Sequence, residues 1–69
     1  MRNFTEEYLQ ILYHMSTGLN MEEISTEMCL SRSQLTDRIL RMKLISGSIT
    51  NTHMIRLGFE QGYLIKREY

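Results

Sequence analysis

The amino-acid sequence predicts an all-α domain of four short helices with a helix-turn-helix at its centre. Two capping-box pairs, Asn20 with Glu23 and Ser31 with Gln34, begin helices only eleven residues apart, so a very short turn joins the second helix to the third. Apolar residues recur at steps of three and four, and neither proline nor strand-like alternation competes with this period. Without an internal repeat or a linker, the chain is a single domain over 1–69.

The first two helices are each predicted from a capping residue and an apolar stripe. Thr5 is placed to cap a first helix near 6–17. The second helix follows Asn20 and ends by Met28 or Cys29, with Cys29 expected as a small buried residue in the turn. The apolar residues of the two helices are Phe4, Tyr8, Ile11, Leu12, Met15, Ile24 and Met28.

The third and fourth helices are predicted in the same way. Ser31 caps a third helix over 32–45, which ends before the small residues Ser46, Gly47 and Ser48. Thr52 is predicted to cap the fourth helix and Gly62 to end it. The apolar residues of this last helix are Met54, Ile55, Leu57 and Phe59.

The small size of the chain predicts that it oligomerises. A domain of 69 residues buries little apolar surface, and such domains usually add disulfides, a metal or a partner chain. Cys29 is the only cysteine, and His14 and His53 lack the paired spacing of zinc ligands. We therefore expect oligomerisation, with no metal and no other cofactor. Because no phosphate loop, carboxylate pair or nucleophile–base motif is present, we expect no enzyme activity.

Charge is unevenly distributed along a chain whose formal net charge is zero. Residues 1–30 carry −4, residues 31–45 carry +3 and residues 46–69 carry +1. A basic segment in a neutral protein is a weak indication of nucleic-acid binding, and a solvated helix face explains it equally well. Glu6 and Glu7 interrupt any secretory segment, and no run approaches the roughly 20 apolar residues of a membrane span. One thiol and six methionines suit a reducing cytoplasm, so we expect a cytoplasmic protein without a membrane partner.

Seventeen positions, spread without a gap over about nine-tenths of the chain, follow the residue pattern of a known protein family. These positions are Phe4, Thr5, Ile11, Leu12, Gly18, Glu23, Ile24, Ser25, Met28, Leu30, Ser31, Gln34, Leu35, Gly47, Thr52, Gly58 and Gly62. In this register the run from Phe4 to Leu64 resembles the DNA-binding domain of LuxR/GerE-type transcription regulators. The resemblance is to a stand-alone copy of that domain, with no attached sensor domain.

The resemblance implies a tetrahelical domain whose third helix enters the major groove of double-stranded DNA. It also implies a homodimer formed through the fourth helix, which reads a two-fold symmetric site with recognition helices about one DNA turn apart. The side chains predicted to face DNA are Arg32, Ser33, Gln34, Thr36, Arg38, Arg41 and Lys43. Those predicted at the dimer interface are Met54, Ile55, Gly58 and Phe59.

The third helix can be divided into faces at about 100° per residue. Its predicted core face comprises Leu35, Ile39 and Met42, and its opposite face comprises Ser33, Asp37, Leu40, Arg41 and Leu44. Arg41 suits a base contact, because arginine is the usual bidentate reader of guanine, whereas Arg32 and Lys43 suit phosphates. Arg38 projects nearer the core edge, where packing or a carboxylate partner is at least as good an expectation as DNA.

Departures from the family pattern favour a second interpretation. Met21 and Glu22 replace the Asn-Lys pair that helps to hold phosphate in the family, and Asp37 adds a negative charge. Leu40 and Leu44 place apolar side chains on the outward face of the third helix. The alternative is a helix-turn-helix protein-interaction module that binds and antagonises another LuxR-type transcription regulator without binding DNA. Leu40 and Leu44 would then form its protein interface.

Overall fold

The computed structural model describes residues 1–65, and all of its regular structure is helical. The described residues form helices α1 (Glu6–Ser16), α2 (Met21–Met28), α3 (Arg32–Ser46) and α4 (Asn51–Glu60), without a strand. The predicted all-α class, with four helices in this order, is therefore confirmed. The charged residues after Ile65, counted in the sequence analysis, lie outside the described residues.

Three of the four predicted helix starts are confirmed by their capping hydrogen bonds. Thr5 Oγ1 accepts from the backbone N–H of Tyr8 at 3.2 Å at the start of α1. Asn20 and Ser31 each form the full reciprocal capping box, with Glu23 and Gln34 respectively. These bonds satisfy backbone N–H groups that have no partner inside the helix, which fixes where α2 and α3 begin.

The prediction that Thr52 caps the fourth helix is wrong. Thr50 is the capping residue, and its Oγ1 accepts from the backbone N–H of His53 at 3.1 Å. Helix α4 can begin soon after α3 because α3 ends in a tight turn. Gly47 takes a left-handed conformation there, and the N–H of Ser48 donates to the carbonyl of Lys43. Thr52 lies instead within the first turn of α4, where it is exposed.

The core lies between the helices, with α1 packed against the three others. The residues that form it are Phe4, Ile11, Leu12, Ile24, Leu35, Ile39, Met42, Met54 and Leu64. The predicted core face of α3, Leu35 with Ile39 and Met42, is confirmed. Each fully buried aliphatic side chain contributes about 1.5–3 kcal/mol relative to an exposed position, so this cluster holds the outward face of α3 in a fixed orientation.

The connection between α2 and α3 comprises only residues 29–31. Cys29 ends α2 in the left-handed conformation, at φ 55° and ψ 40°, and the N–H of Leu30 donates to the carbonyl of Ser25 at 3.0 Å. Cys29 is exposed, so the expectation of a buried cysteine was wrong: the left-handed residue at a helix end lies outside the packed stripe. This reversal brings Ser31 directly into place as the cap of α3.

The segment after α4 folds back onto the helix. The N–H groups of Tyr63 and Leu64 both donate to the carbonyl of Gly58, at 2.9 and 3.0 Å. The Leu64 side chain is buried over Gly58, where an added Cβ would lie 2.7 Å from Leu64 Cδ1 and 3.0 Å from Leu12 Cδ2. Glycine at this position therefore permits a close approach within the chain itself.

Candidate nucleic-acid interface

The outward face of α3 is a continuous exposed surface, as the helical spacing predicted. All five residues expected there are exposed, and Thr36 on the flank is exposed as well. Three of the polar side chains already make local hydrogen bonds: Thr36 donates to the carbonyl of Arg32, Ser33 pairs with Ser31, and Gln34 Oε1 accepts from the N–H of Ser31. Gln34 keeps its amide nitrogen available, because the capping bond uses only its oxygen.

The flank of α3 that faces α1 is held by an ion pair. Arg38 Nε donates to Glu7 Oε1 at 2.8 Å, and Arg38 Nη1 donates to the carbonyl of Gln34 at 3.3 Å. The Arg38 side chain is only 27% exposed. Of the two roles expected for Arg38, the structure therefore shows the carboxylate partner, which ties α3 to α1.

Asp37 and Arg41 form a second ion pair on this side of α3, at 3.0 Å between Oδ2 and Nε. Both side chains are more than half exposed. Together with Glu7, Tyr8 and Arg38 they line a shallow charged groove of about 270 Å³. Two of the four basic side chains of α3 are thus already matched to carboxylates.

The other flank of α3 carries the cations without an ion-pair partner. Arg32 and Lys43 have none among residues 1–65. Lys43 lies beside a groove of about 300 Å³, which is also lined by Met21, Thr36, Ile39, Leu40 and Asn51. This groove brings the first residues of α2 and α4 next to α3, an arrangement that the sequence did not indicate.

Acidic residues lie on the neighbouring helix α2. Glu22, Glu23 and Glu27 are all exposed, and with Leu19 and Thr26 they line a shallow groove of about 290 Å³. Carboxylates repel DNA phosphates, so α2 offers no electrostatic support to binding along its own surface. Among the four helices, α3 alone carries a net positive charge.

Apolar side chains are exposed on and after the second half of α3. Leu40 is 54% exposed and Leu44 75%, and both were expected on the outward face. Ile45 and Ile49 are also exposed and were not expected at this surface. Helical spacing gives no signal for them, because Ile45 follows Met42 by three residues, as a core position would, and Ile49 lies beyond the end of α3.

The four residues predicted at a dimer interface separate into two pairs. Met54 is fully buried in the core, and Gly58 is buried beneath Leu64, so both residues pack against other residues of the same chain. Ile55 is half-buried and Phe59 is exposed. The latter two line a shallow groove on α4, of about 440 Å³, with Thr52, Arg56 and Glu60.

No three His, Cys, Asp or Glu side chains within residues 1–65 come together in a way that could hold a metal ion. In the same range no helix has the length and apolar character needed to cross a membrane.

The LuxR/GerE resemblance remains a prediction from the sequence. No protein-family model, curated protein or solved structure matches this chain.

Proposed function

We propose that this chain is a small sequence-specific DNA-binding transcription regulator of the LuxR/GerE-like tetrahelical type. It acts as a homodimer and places α3 in the major groove of double-stranded DNA. Such a regulator, of bacterial or phage type, acts in the cytoplasm.

The outward face of α3 is the observation that supports this proposal. A capped helix of 15 residues is held by Leu35, Ile39 and Met42, and it presents hydroxyls, an amide and arginine on the opposite side. These groups are the donors and acceptors that read base edges in the major groove. The short connection at Cys29 sets α3 directly against α2, as a helix-turn-helix requires.

Salt-dependent binding tests the proposal. Arg32 and Lys43 in two protomers supply four cations for phosphates, which gives a slope of log K against log salt of about −4. Fluorescence anisotropy of a labelled random duplex between 50 and 200 mM salt measures it. Arg32→Ala should reduce the slope by about 2, because a dimer loses two contacts. Arg2→Ala removes the same charge from the exposed N-terminal segment and should leave the slope unchanged.

Absence of binding by the folded protein at low salt would refute this function. Equal effects of Arg32→Ala and Arg2→Ala would show that binding depends on net charge alone and does not involve α3.

The homodimer is supported by the surface of α4. Ile55 and Phe59 expose apolar side-chain surface in the groove on α4, beside Arg56, and a second copy of the chain could cover it. Phe59→Glu places a charge in that groove and should shift a dimer to a monomer in sedimentation equilibrium, without unfolding the chain. A wild-type monomer at micromolar concentration would contradict the homodimer.

A second candidate function rests on the exposed leucines. Leu40 and Leu44 lie one turn apart, and an exposed apolar pair on one face of a helix suits a hydrophobic groove on another protein. Under this alternative the chain binds and antagonises another LuxR-type regulator. Leu40→Glu and Leu44→Glu should then abolish capture of that regulator while circular dichroism remains unchanged. Retained capture by both variants would contradict this second function.

A further inference from the structure

Asp37 lies on the face of α3 that the proposed function turns toward DNA. A carboxylate there repels phosphates, so it weakens binding to every duplex. Its ion pair with Arg41 contributes little to the helix, because both side chains are more than half exposed to water. Stability alone therefore does not explain an acidic residue at this position.

The geometry of the pair gives Asp37 a different role. The carboxylate contacts the Nε side of the Arg41 guanidinium, at 3.0 Å. The end of the group formed by Nη1 and Nη2 remains available for two parallel hydrogen bonds, and guanine presents O6 and N7 at the matching spacing. A guanidinium that is already oriented loses less rotamer freedom when it forms those bonds.

Asp37 also acts on the bases that Arg41 does not contact. A carboxylate in the major groove accepts a hydrogen bond from the N4 amino group of cytosine. Opposite thymine O4 or guanine O6 it meets only another acceptor, so such sites are disfavoured. The two side chains together discriminate for a guanine and against neighbouring acceptors.

Arg38 does not share this arrangement. Its Nε is bound by Glu7 of α1, and its side chain is only 27% exposed. Arg41 is 64% exposed, and its partner lies one turn before it on the same outward face. Of the two paired arginines, Arg41 is the one that can reach a base.

We infer that Asp37 is a positioning and specificity-determining residue, which orients Arg41 to read a guanine and lowers the affinity for other sequences. This inference rests on the proposed DNA-binding function and names one base of the site that it recognises. It predicts that Asp37 reduces overall affinity while raising sequence discrimination.

Two affinities measured on the same protein test the inference. The preferred duplex is selected from a library with 20 randomised base pairs, and its Kd is compared with that of an unrelated duplex of the same length. Asp37→Asn should tighten binding to the unrelated duplex several-fold and lower the specificity ratio by about ten-fold, within the range of a bidentate base contact. Glu6→Gln makes the same charge change on the exposed start of α1, and it should leave the ratio unchanged.

A double-mutant cycle identifies Arg41 as the group through which Asp37 acts. In an Arg41→Ala background, Asp37→Asn should lower the ratio by only about two- to three-fold, because the oriented guanidinium is absent and only the direct effect of the carboxylate on neighbouring bases remains. Replacing the selected guanine by 7-deazaguanine removes the N7 acceptor, and it should weaken wild type much more than Arg41→Ala.

The outcomes separate this inference from the function on which it rests. If wild type binds no DNA, both are overturned. If wild type selects a sequence but Asp37→Asn leaves the specificity ratio unchanged, or lowers it equally with and without Arg41, the inference alone is overturned and DNA binding stands.

Discussion

Replacing Gly58 by alanine should destabilise the domain, although alanine is the better helix former. Alanine gains about 1 kcal/mol of helix propensity over glycine in a helix interior. Its Cβ, however, would lie 2.7 Å from Leu64 Cδ1, 3.1 Å from Leu64 Cγ and 3.0 Å from Leu12 Cδ2. Two of these atoms are terminal methyls, but Leu12 and Leu64 are both buried and have little room to move, so overpacking of this kind costs about 1–3 kcal/mol. The net expectation is a loss of about 1 kcal/mol, or about 6 °C in Tm for a chain of this size.

A second substitution tests the cause of that loss. Leu64→Ala removes two of the three close contacts, so the alanine at position 58 should then be neutral or stabilising by about 0.5 kcal/mol. Urea denaturation of the two single variants and the double variant gives a coupling energy, expected near 1.5 kcal/mol. Sedimentation of Gly58→Ala should show an unchanged association constant.

Two results would refute this explanation. The first is a Gly58→Ala variant that is more stable than wild type, or equally destabilised with and without Leu64. The second is unchanged stability with altered self-association, which would return Gly58 to the dimer axis that the sequence analysis predicted.

Four further substitutions test local features of the structure by urea denaturation. Thr50→Ala removes the cap of α4 and should cost about 1 kcal/mol, whereas Thr52→Ala should change stability by less than about 0.5; the reverse order would restore Thr52 as the cap. Cys29→Gly relieves about 1–2 kcal/mol of left-handed strain but costs about 0.5–1 kcal/mol, because glycine loses more backbone entropy on folding. We expect the free energy of unfolding to rise by about 0.5 kcal/mol, and a decrease would contradict this explanation. Glu7→Gln should cost about 0.5 kcal/mol and, by releasing Arg38, tighten binding to DNA; weaker binding would contradict the proposed orientation of α3.

The sequence predicted most of the fold because the signals for it are local. The capping boxes at Asn20 and Ser31 need only residues three apart, and the core face of α3 follows from the helical period. The cap of α4 was missed because Thr50 and Thr52 have the same chemistry. The choice between them depends on the turn that ends α3, which is a tertiary feature.

The candidate site was less predictable because its main interactions are long-range or compete with one another. The partner of Arg38 is Glu7, 31 residues away, and no spacing rule joins them. Met54 and Gly58 lie on the predicted apolar side of α4, but helical spacing cannot tell a core contact from a contact with a second chain. The structure assigns both residues to the core of the single chain, where Leu64 covers Gly58.

Amide chemical-shift mapping by NMR shows whether the outward face of α3 contacts DNA. A ¹⁵N-labelled sample is titrated with the selected duplex, and the shift of every backbone amide is followed. If α3 lies in the major groove, we expect the largest changes in the first three turns of α3, around Ser33, Asp37 and Arg41, with small changes along α1. Changes centred on another helix, or none at saturating duplex, would contradict it.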